Sequence, residues 1–139
     1  MMQYFVKENE LITFEYGGVS SAFYHLYVAK QNGLYDSFER DLEFIEIKGR
    51  DGDLIIDNKR QRSKTISLEC FIDLENVEVP LEVLAENIEE WLQGEVTYKD
   101  LSFSNNEKIF KAICVNNLSI NEVIKNVVDV QIRFKIQPS

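Results

Sequence analysis

The stretch that decides the fold runs from Leu42 to Gly94. It contains, in order, LEFIEIKGRDG (42–52), KTISLECFIDL (64–74) and PLEVLAENIEEWLQG (80–94). These segments indicate a strand that ends in a glycine turn, a second strand entered through basic residues, and one amphipathic helix. A β-domain with a single helix can build a tube or a ring, and nothing in these residues is suited to breaking bonds.

The clearest strand is 65–74, where apolar residues recur at every second position. We predict that the following residues face the core: Ile66, Leu68, Cys70, Ile72 and Leu74. The same alternation over 127–136 predicts a strand close to the end of the sequence.

The helix is predicted over 80–92. Pro80 suits the first turn, where its missing N–H costs nothing. An apolar stripe has helical spacing and is formed by Leu81, Leu84, Ala85, Ile88, Trp91 and Leu92. The opposite face is almost purely acidic, and Gly94 is predicted to end the helix in a left-handed conformation.

Shorter strands are predicted at 11–16, 24–29, 42–48, 95–99, 109–115 and 118–124, with turns or loops at 17–18, 31–36, 49–52 and 104–108. We therefore expect one mainly β domain, antiparallel and sandwich- or barrel-like, with one flanking α-helix. A length of 139 residues fits a single domain, 1–139.

The net charge of −9 argues against general nucleic-acid binding, which needs clustered cations. One basic cluster exists and consists of Lys59, Arg60, Arg62 and Lys64. It fits a solvated edge strand or pairing with acidic neighbours better than phosphate contacts. The sequence also lacks a long apolar run and an N-terminal secretory pattern, so synthesis in a reducing cytoplasm is expected, with Cys70 and Cys114 as buried free thiols.

Catalytic, cofactor and metal sites are not predicted. The single histidine, His25, has Cys70 or Cys114 as possible partners, but its apolar strand context favours a structural role. One histidine and two distant cysteines do not suit zinc. Asp51 and Asp53 beside Gly52 lack the order of a calcium loop.

In its motifs the chain resembles the N-terminal domain of the distal tail protein (Dit) family of long-tailed bacteriophages. The matching segments are LITFEYGGVSSAFYHLYV (11–28), IEIKGRDG (45–52), KRQRSKTISLECFI (59–72), EEWLQG (89–94), VTYKDLSFSNNEKIFKAICV (96–115) and VVDVQIRFKIQPS (127–139). Family members often continue into a second domain, whereas this sequence ends at Ser139, so we expect a short member or an excised domain. The segment DLIIDN (53–58) lacks the aromatic residues typical of the family.

The resemblance implies a tail-tube-like fold and a structural protein of a phage or prophage virion, assembled in the host cytoplasm. It implies a hexameric ring at the tail tip, or baseplate, between the tail tube protein and the tail-tip, tail-associated and receptor-binding proteins. It implies no membrane contact and no specific nucleic acid, although DNA passes through the lumen. It also implies a projecting hairpin or loop that reaches a neighbouring subunit.

We place that projection at 46–64, where three adjacent apolar residues stand between polar flanks. Its predicted interface residues are Gly49, Arg50, Asp51, Gly52, Leu54, Ile55, Ile56, Lys59, Arg60 and Arg62. The basic residues would steer assembly with an acidic partner. The competing interpretation folds 54–56 back onto the subunit's own core.

Two other functions remain open from the sequence. One is a monomeric module that binds carbohydrate or protein through a groove lined by Tyr24, Tyr27, Tyr35 and Phe38. The other is a small hydrolase built on paired carboxylates, which requires a concave pocket with acids of perturbed pKa.

Overall fold

A computed structural model of the chain describes residues 11–75, 77–118, 120–124 and 126–138, with side chains left undescribed at 121–124. The described residues form ten strands and one α-helix. In chain order these are β1 (Phe14–Tyr16), β2 (Val19–Ser20), β3 (Leu26–Asn32), β4 (Arg40–Glu46), β5 (Asp53–Gln61), β6 (Lys64–Asp73), α1 (Leu81–Gln93), β7 (Lys99–Phe103), β8 (Asn106–Cys114), β9 (Ile120–Ile124) and β10 (Val127–Gln137).

Eight of these strands form one antiparallel sheet in the order β2-β1-β7-β8-β10-β6-β3, with β9 also paired to β10. Strand β10 is its centre, because it pairs with β6 over Val127–Ile136 and with β8 and β9 on its other edge. The amide of Val28 in β3 donates to the carbonyl of Ile12 at 2.8 Å. Since Ile12 lies two residues before β1, this bridge brings the two ends of the sheet together as in a barrel, and the predicted mainly β class with one helix is confirmed.

The core lies between the inward faces of the strands and helix α1. The alternation predicted for β6 and β10 is confirmed, because Ile66, Leu68, Ile72, Ile132 and Phe134 are all buried. On the helix, the three innermost positions of the predicted stripe are Leu84, Ile88 and Leu92, all buried in the same cluster. The helix therefore covers the β-layer through the face that its sequence period predicts.

Trp91 joins α1 to strand β1. Its ring stacks on Phe14 at a centroid distance of 5.4 Å and on Tyr24 at 4.8 Å, and its indole Nε1 donates to the carbonyl of Tyr16 at 2.9 Å. The side chain is half-buried against the core. Packing and a directed hydrogen bond together fix the angle of the helix on the sheet.

Several predicted boundaries are wrong. A strand is predicted over 95–99, but β7 begins only at Lys99, and Val96 is 94% exposed in the connection. The loop predicted at 104–108 shrinks to a two-residue turn at Ser104-Asn105 because β8 already begins at Asn106. The loop predicted at 31–36 begins two residues later than predicted, because β3 continues through Asn32. In each case tertiary strand pairing, rather than local polarity, sets the boundary.

Two predicted backbone conformations are also wrong. Gly94 ends α1 with φ −68° in the right-handed region, and its amide still donates to the carbonyl of Glu90. His25 does not lie in a strand but closes a short 3-10 turn (Ser21–Tyr24) with φ 58°. Histidine is among the residues that tolerate this left-handed conformation.

Both cysteines are free and buried, as predicted. Burial raises the pKa of the Cys70 thiol and of the Cys114 thiol, so neither forms the reactive thiolate near neutral pH. We expect a water-soluble disulfide reagent to label both thiols only after the protein is unfolded. Absorbance of the released thiol measures the labelling, and a disulfide formed without added oxidant would contradict the expectation.

Candidate subunit interface

Strands β4 and β5 form a second, two-stranded sheet. Their register pairs Leu42 with Asp57, Phe44 with Ile55 and Glu46 with Asp53. The turn between them spans 47–52, where Gly49 (φ 82°) and Gly52 (φ 78°) both adopt the positive φ that the sequence predicts. The segment expected to be a projecting loop or hairpin is therefore a hairpin, with one arm that begins earlier than predicted, at Arg40.

The hairpin exposes apolar side chains on both of its faces. Phe44 and Ile55 are directly opposite each other and are each 61% exposed. The next pair, Ile45 and Leu54, points to the other face and is 43% and 42% exposed. An isolated two-stranded sheet is only marginally stable in water. Its exposed apolar side chains form the kind of surface that a partner covers.

An ionic cluster at the root of the hairpin fixes its orientation. Asp41 in β4 is 7% exposed and accepts hydrogen bonds from Arg60 Nε at 2.5 Å, Arg62 Nη2 at 3.2 Å and Asn58 Nδ2 at 3.3 Å. A bulge between Arg40 and Leu42 in the register sets residues 58–60 opposite Asp41, and Lys59 adopts φ 60° there. The bulge turns Asn58 and Arg60 toward one carboxylate.

The guanidinium of Arg60, together with Asn58 and Arg62, holds the pKa of the Asp41 carboxyl at about 2, below its usual 3.8. A carboxyl whose pKa is lower in the folded state stabilises that state in full above its unfolded pKa, and the contribution disappears as pH falls through the folded value. The cluster should therefore be intact above about pH 4 and lost between about pH 4 and pH 2.

Replacing Asp41 with asparagine should loosen the hairpin and leave the large sheet unchanged. The variant removes the charge that Arg60 and Arg62 share, so we expect faster hydrogen exchange at the amides of β5 and unchanged exchange in β6 and β10. Exchange measured by mass spectrometry tests this, with Glu43→Gln on the exposed part of β4 as the control. Unchanged exchange in β5 would show that the cluster does not hold the hairpin.

The predicted interface residues all lie on or beside this hairpin. The turn carries Gly49, Arg50, Asp51 and Gly52, and β5 carries Leu54, Ile55, Ile56, Lys59 and Arg60. Arg62 follows directly after β5. Leu54 and Ile55 are exposed and Ile56 is half-buried, so the first two are not packed into the subunit's own core.

Three of the four basic residues are engaged inside the chain. Arg60 and Arg62 bind Asp41, Arg62 also reaches Glu39 at 3.4 Å, and Lys64 Nζ donates to the carbonyls of Leu34 and Asp36. Arg60 and Arg62 are therefore paired with acidic neighbours, which is one of the two interpretations that the sequence favours for this cluster. These cations build the hairpin root, so their charge is largely satisfied within the subunit.

The sequence reasoning missed Phe44, Ile45 and Asp41. A signal was present, because adjacent apolar residues in both β4 and β5 place side chains on both faces, which is typical of a strand covered from two sides. For Asp41 the sequence holds no signal, since its partners lie about twenty residues further along the chain and depend on the bulge.

The other predicted candidates lie in separate surroundings. Tyr24 packs on Trp91, Tyr27 contacts Phe71, Phe38 lies under the Lys64 ammonium at 5.0 Å, and Tyr35 is 78% exposed. Among the described residues, no group of three or more His, Cys, Asp or Glu side chains is arranged to hold a metal ion. Within the same residues, no helix has the length and apolar character needed to cross a bilayer.

Comparison with solved structures shows that the chain is similar in fold to a phage hub protein. The particular match is the crystal structure of SPP1 Dit (gp 19.1), described as a paradigm of the hub adsorption apparatus in phages that infect Gram-positive bacteria. The TM-score is 0.74 at 16% sequence identity, over 92% of this chain and 50% of the SPP1 chain. The chain thus spans about half the length of the structure it matches.

At this identity the match establishes the fold, and the resemblance seen in the sequence motifs is confirmed at that level. No protein family profile matches the chain, and no curated protein matches it.

Proposed function

We propose that this protein is a structural, non-enzymatic component of a bacteriophage or prophage tail tip, and that it forms a hexameric ring joining the tail tube to the tip proteins. The observation that carries the proposal is the β4–β5 hairpin. It has exposed apolar pairs on both faces and an ionically fixed root, on a domain with the Dit fold. A subunit that lays such a hairpin on its neighbour makes a heterologous contact, and six such contacts close when the rotation per subunit is a sixth of a turn.

We also propose the domain assignment, which the Dit fold of the described residues supports. Residues 1–139 act as a single ring-forming domain equivalent to the N-terminal domain of a Dit protein, either as a short member or as part of a longer chain. Its partners are further copies of itself, the tail tube protein, the tail-tip or tail-associated proteins, and the receptor-binding protein. The net charge of −9 suits a channel through which DNA passes, because like charges do not adhere.

Labelling of virions tests the location. A gold-conjugated antibody raised against this domain should mark the distal end of the tail in electron micrographs of phage particles from the source strain. Binding along the whole tube, or no binding to particles whose tips are accessible, would contradict a tail-tip position. Antibody absorbed beforehand with the purified domain serves as the control for specificity.

A further inference from the structure

The outward face of the large sheet carries a basic pair. Arg133 and Lys135 on β10 alternate with buried Ile132, Phe134 and Ile136, so both side chains point away from the core. Neither side chain forms an ion pair within the described part of the chain. They are thus two free cations, two residues apart, on a protein of net charge −9.

Two apolar side chains lie beside this pair. Ile113 is an outward position of β8, and Val115 follows the strand. Lys111, the next outward position of β8, lies opposite Gln137 and pairs with Asp100. Ile113 is directly opposite Lys135, and the amide of Val115 donates to the carbonyl of Arg133 at 2.9 Å. Val115 is 46% exposed, and Ile113 is half-buried. We call the surface formed by Ile113, Val115, Arg133 and Lys135 the β8–β10 patch.

One face of the hairpin has the opposite charge and the same apolar character. Phe44 and Ile55 form its apolar pair, and the next pair on that face toward the turn is Glu46 opposite Asp53. Like charges directly opposite each other on a sheet are destabilising. Within the described residues neither carboxylate has a cation as a partner, so this acidic pair is a surface that a partner's cations would stabilise.

We infer that the hairpin of one subunit docks on the β8–β10 patch of the next copy of this chain, an inference that rests on the proposed ring. Phe44 and Ile55 cover Ile113 and Val115, while Glu46 and Asp53 meet Arg133 and Lys135. The spacings fit: residues two apart on a strand are separated by about 7 Å, and opposed side chains on a hairpin by about 5 Å. Each carboxylate can thus reach one cation.

The occupant is a second copy because each chain carries both complementary surfaces. The contact is heterologous, and repeated contacts of this kind form a closed ring when the rotation per subunit closes. Two cations are too few for strong binding to a nucleic-acid backbone.

Charge reversal tests the contact. One variant carries Arg133→Glu and Lys135→Glu, the second Glu46→Lys and Asp53→Lys, and the third all four changes. We expect each double variant to need at least about tenfold higher concentration for half-assembly, since two attractive pairs become repulsive. The fourfold variant should assemble again. Sedimentation measures assembly, circular dichroism confirms folding, and Glu86→Lys on the exposed face of α1, outside the hairpin and the patch, is the control.

A mixture sharpens the test. A hairpin variant with Ile55→Asp keeps its patch, and the Arg133→Glu, Lys135→Glu variant keeps its hairpin. Mixed in equal amounts, they retain one productive contact, so a complex of twice the 16.2 kDa chain mass should form and grow no further. No complex in the mixture, or no rescue in the fourfold variant, would show that the hairpin docks elsewhere while the ring itself stands. A wild-type chain that never assembles would overturn both.

Discussion

Replacing Trp91 with alanine should lower the free energy of unfolding by about 3–5 kcal/mol, the range for large aromatic side chains packed on a core. The variant loses stacking on Phe14 and Tyr24 and leaves the Tyr16 carbonyl without the indole donor. Unfolding in urea, followed by circular dichroism, measures the change in the free energy of unfolding, and the slopes of the two transitions should be equal.

Tyr35→Ala is the matched control, because Tyr35 is an aromatic residue that is 78% exposed. It should change the free energy of unfolding by no more than about 0.5 kcal/mol, as exposed substitutions generally do. A loss below about 1 kcal/mol for Trp91→Ala would show that the indole does not hold α1 on the sheet.

Replacing both Ile55 and Ile56 with aspartate should abolish assembly and leave a folded monomer. Ile55 is 61% exposed on the face that carries Phe44, and Ile56 is half-buried on the other face. Two buried carboxylates without cations would be too costly for any partner that covers the hairpin. Neither isoleucine belongs to the core cluster, so the large sheet should keep its stability.

Light scattering after gel filtration measures the mass of the assembled species, and thermal unfolding measures the stability of the fold. Val96→Asp, on a side chain that is 94% exposed outside the hairpin, is the control and should assemble like the wild type. If the double variant unfolds, Ile55 and Ile56 support the subunit's own core. If it assembles normally, the hairpin is not the interface.

Much of the fold could be predicted because single elements carry strong periodicity. In β6, β10 and α1, the residues that alternate or recur at helical spacing are those that pack together. Phe71 is the exception in β6, because it is buried although the alternation places it on the opposite face. The segment 95–99 shows the limit. Its short alternation is typical of a strand, yet only pairing with β8 determines that the strand begins at Lys99.

The candidate interface could be predicted in outline only. The two glycines and the apolar run 54–56 locate the hairpin, because both features are local. The role of Arg60 and Arg62 was not predictable in this way, since it depends on a bulge that brings them to Asp41. The pattern predicts a strand at Phe44 but not the face on which its side chain lies, because pattern alone does not say whether a strand joins the main sheet or stands apart.

The mass of the wild-type chain in solution, measured by sedimentation over a wide range of concentrations, tests the ring most directly. The expected result is a concentration-dependent transition from one chain to a closed species of six times 16.2 kDa, with no larger species beyond it. A strict monomer at the highest concentration reached, or open polymers that keep growing, would contradict a closed hexameric ring.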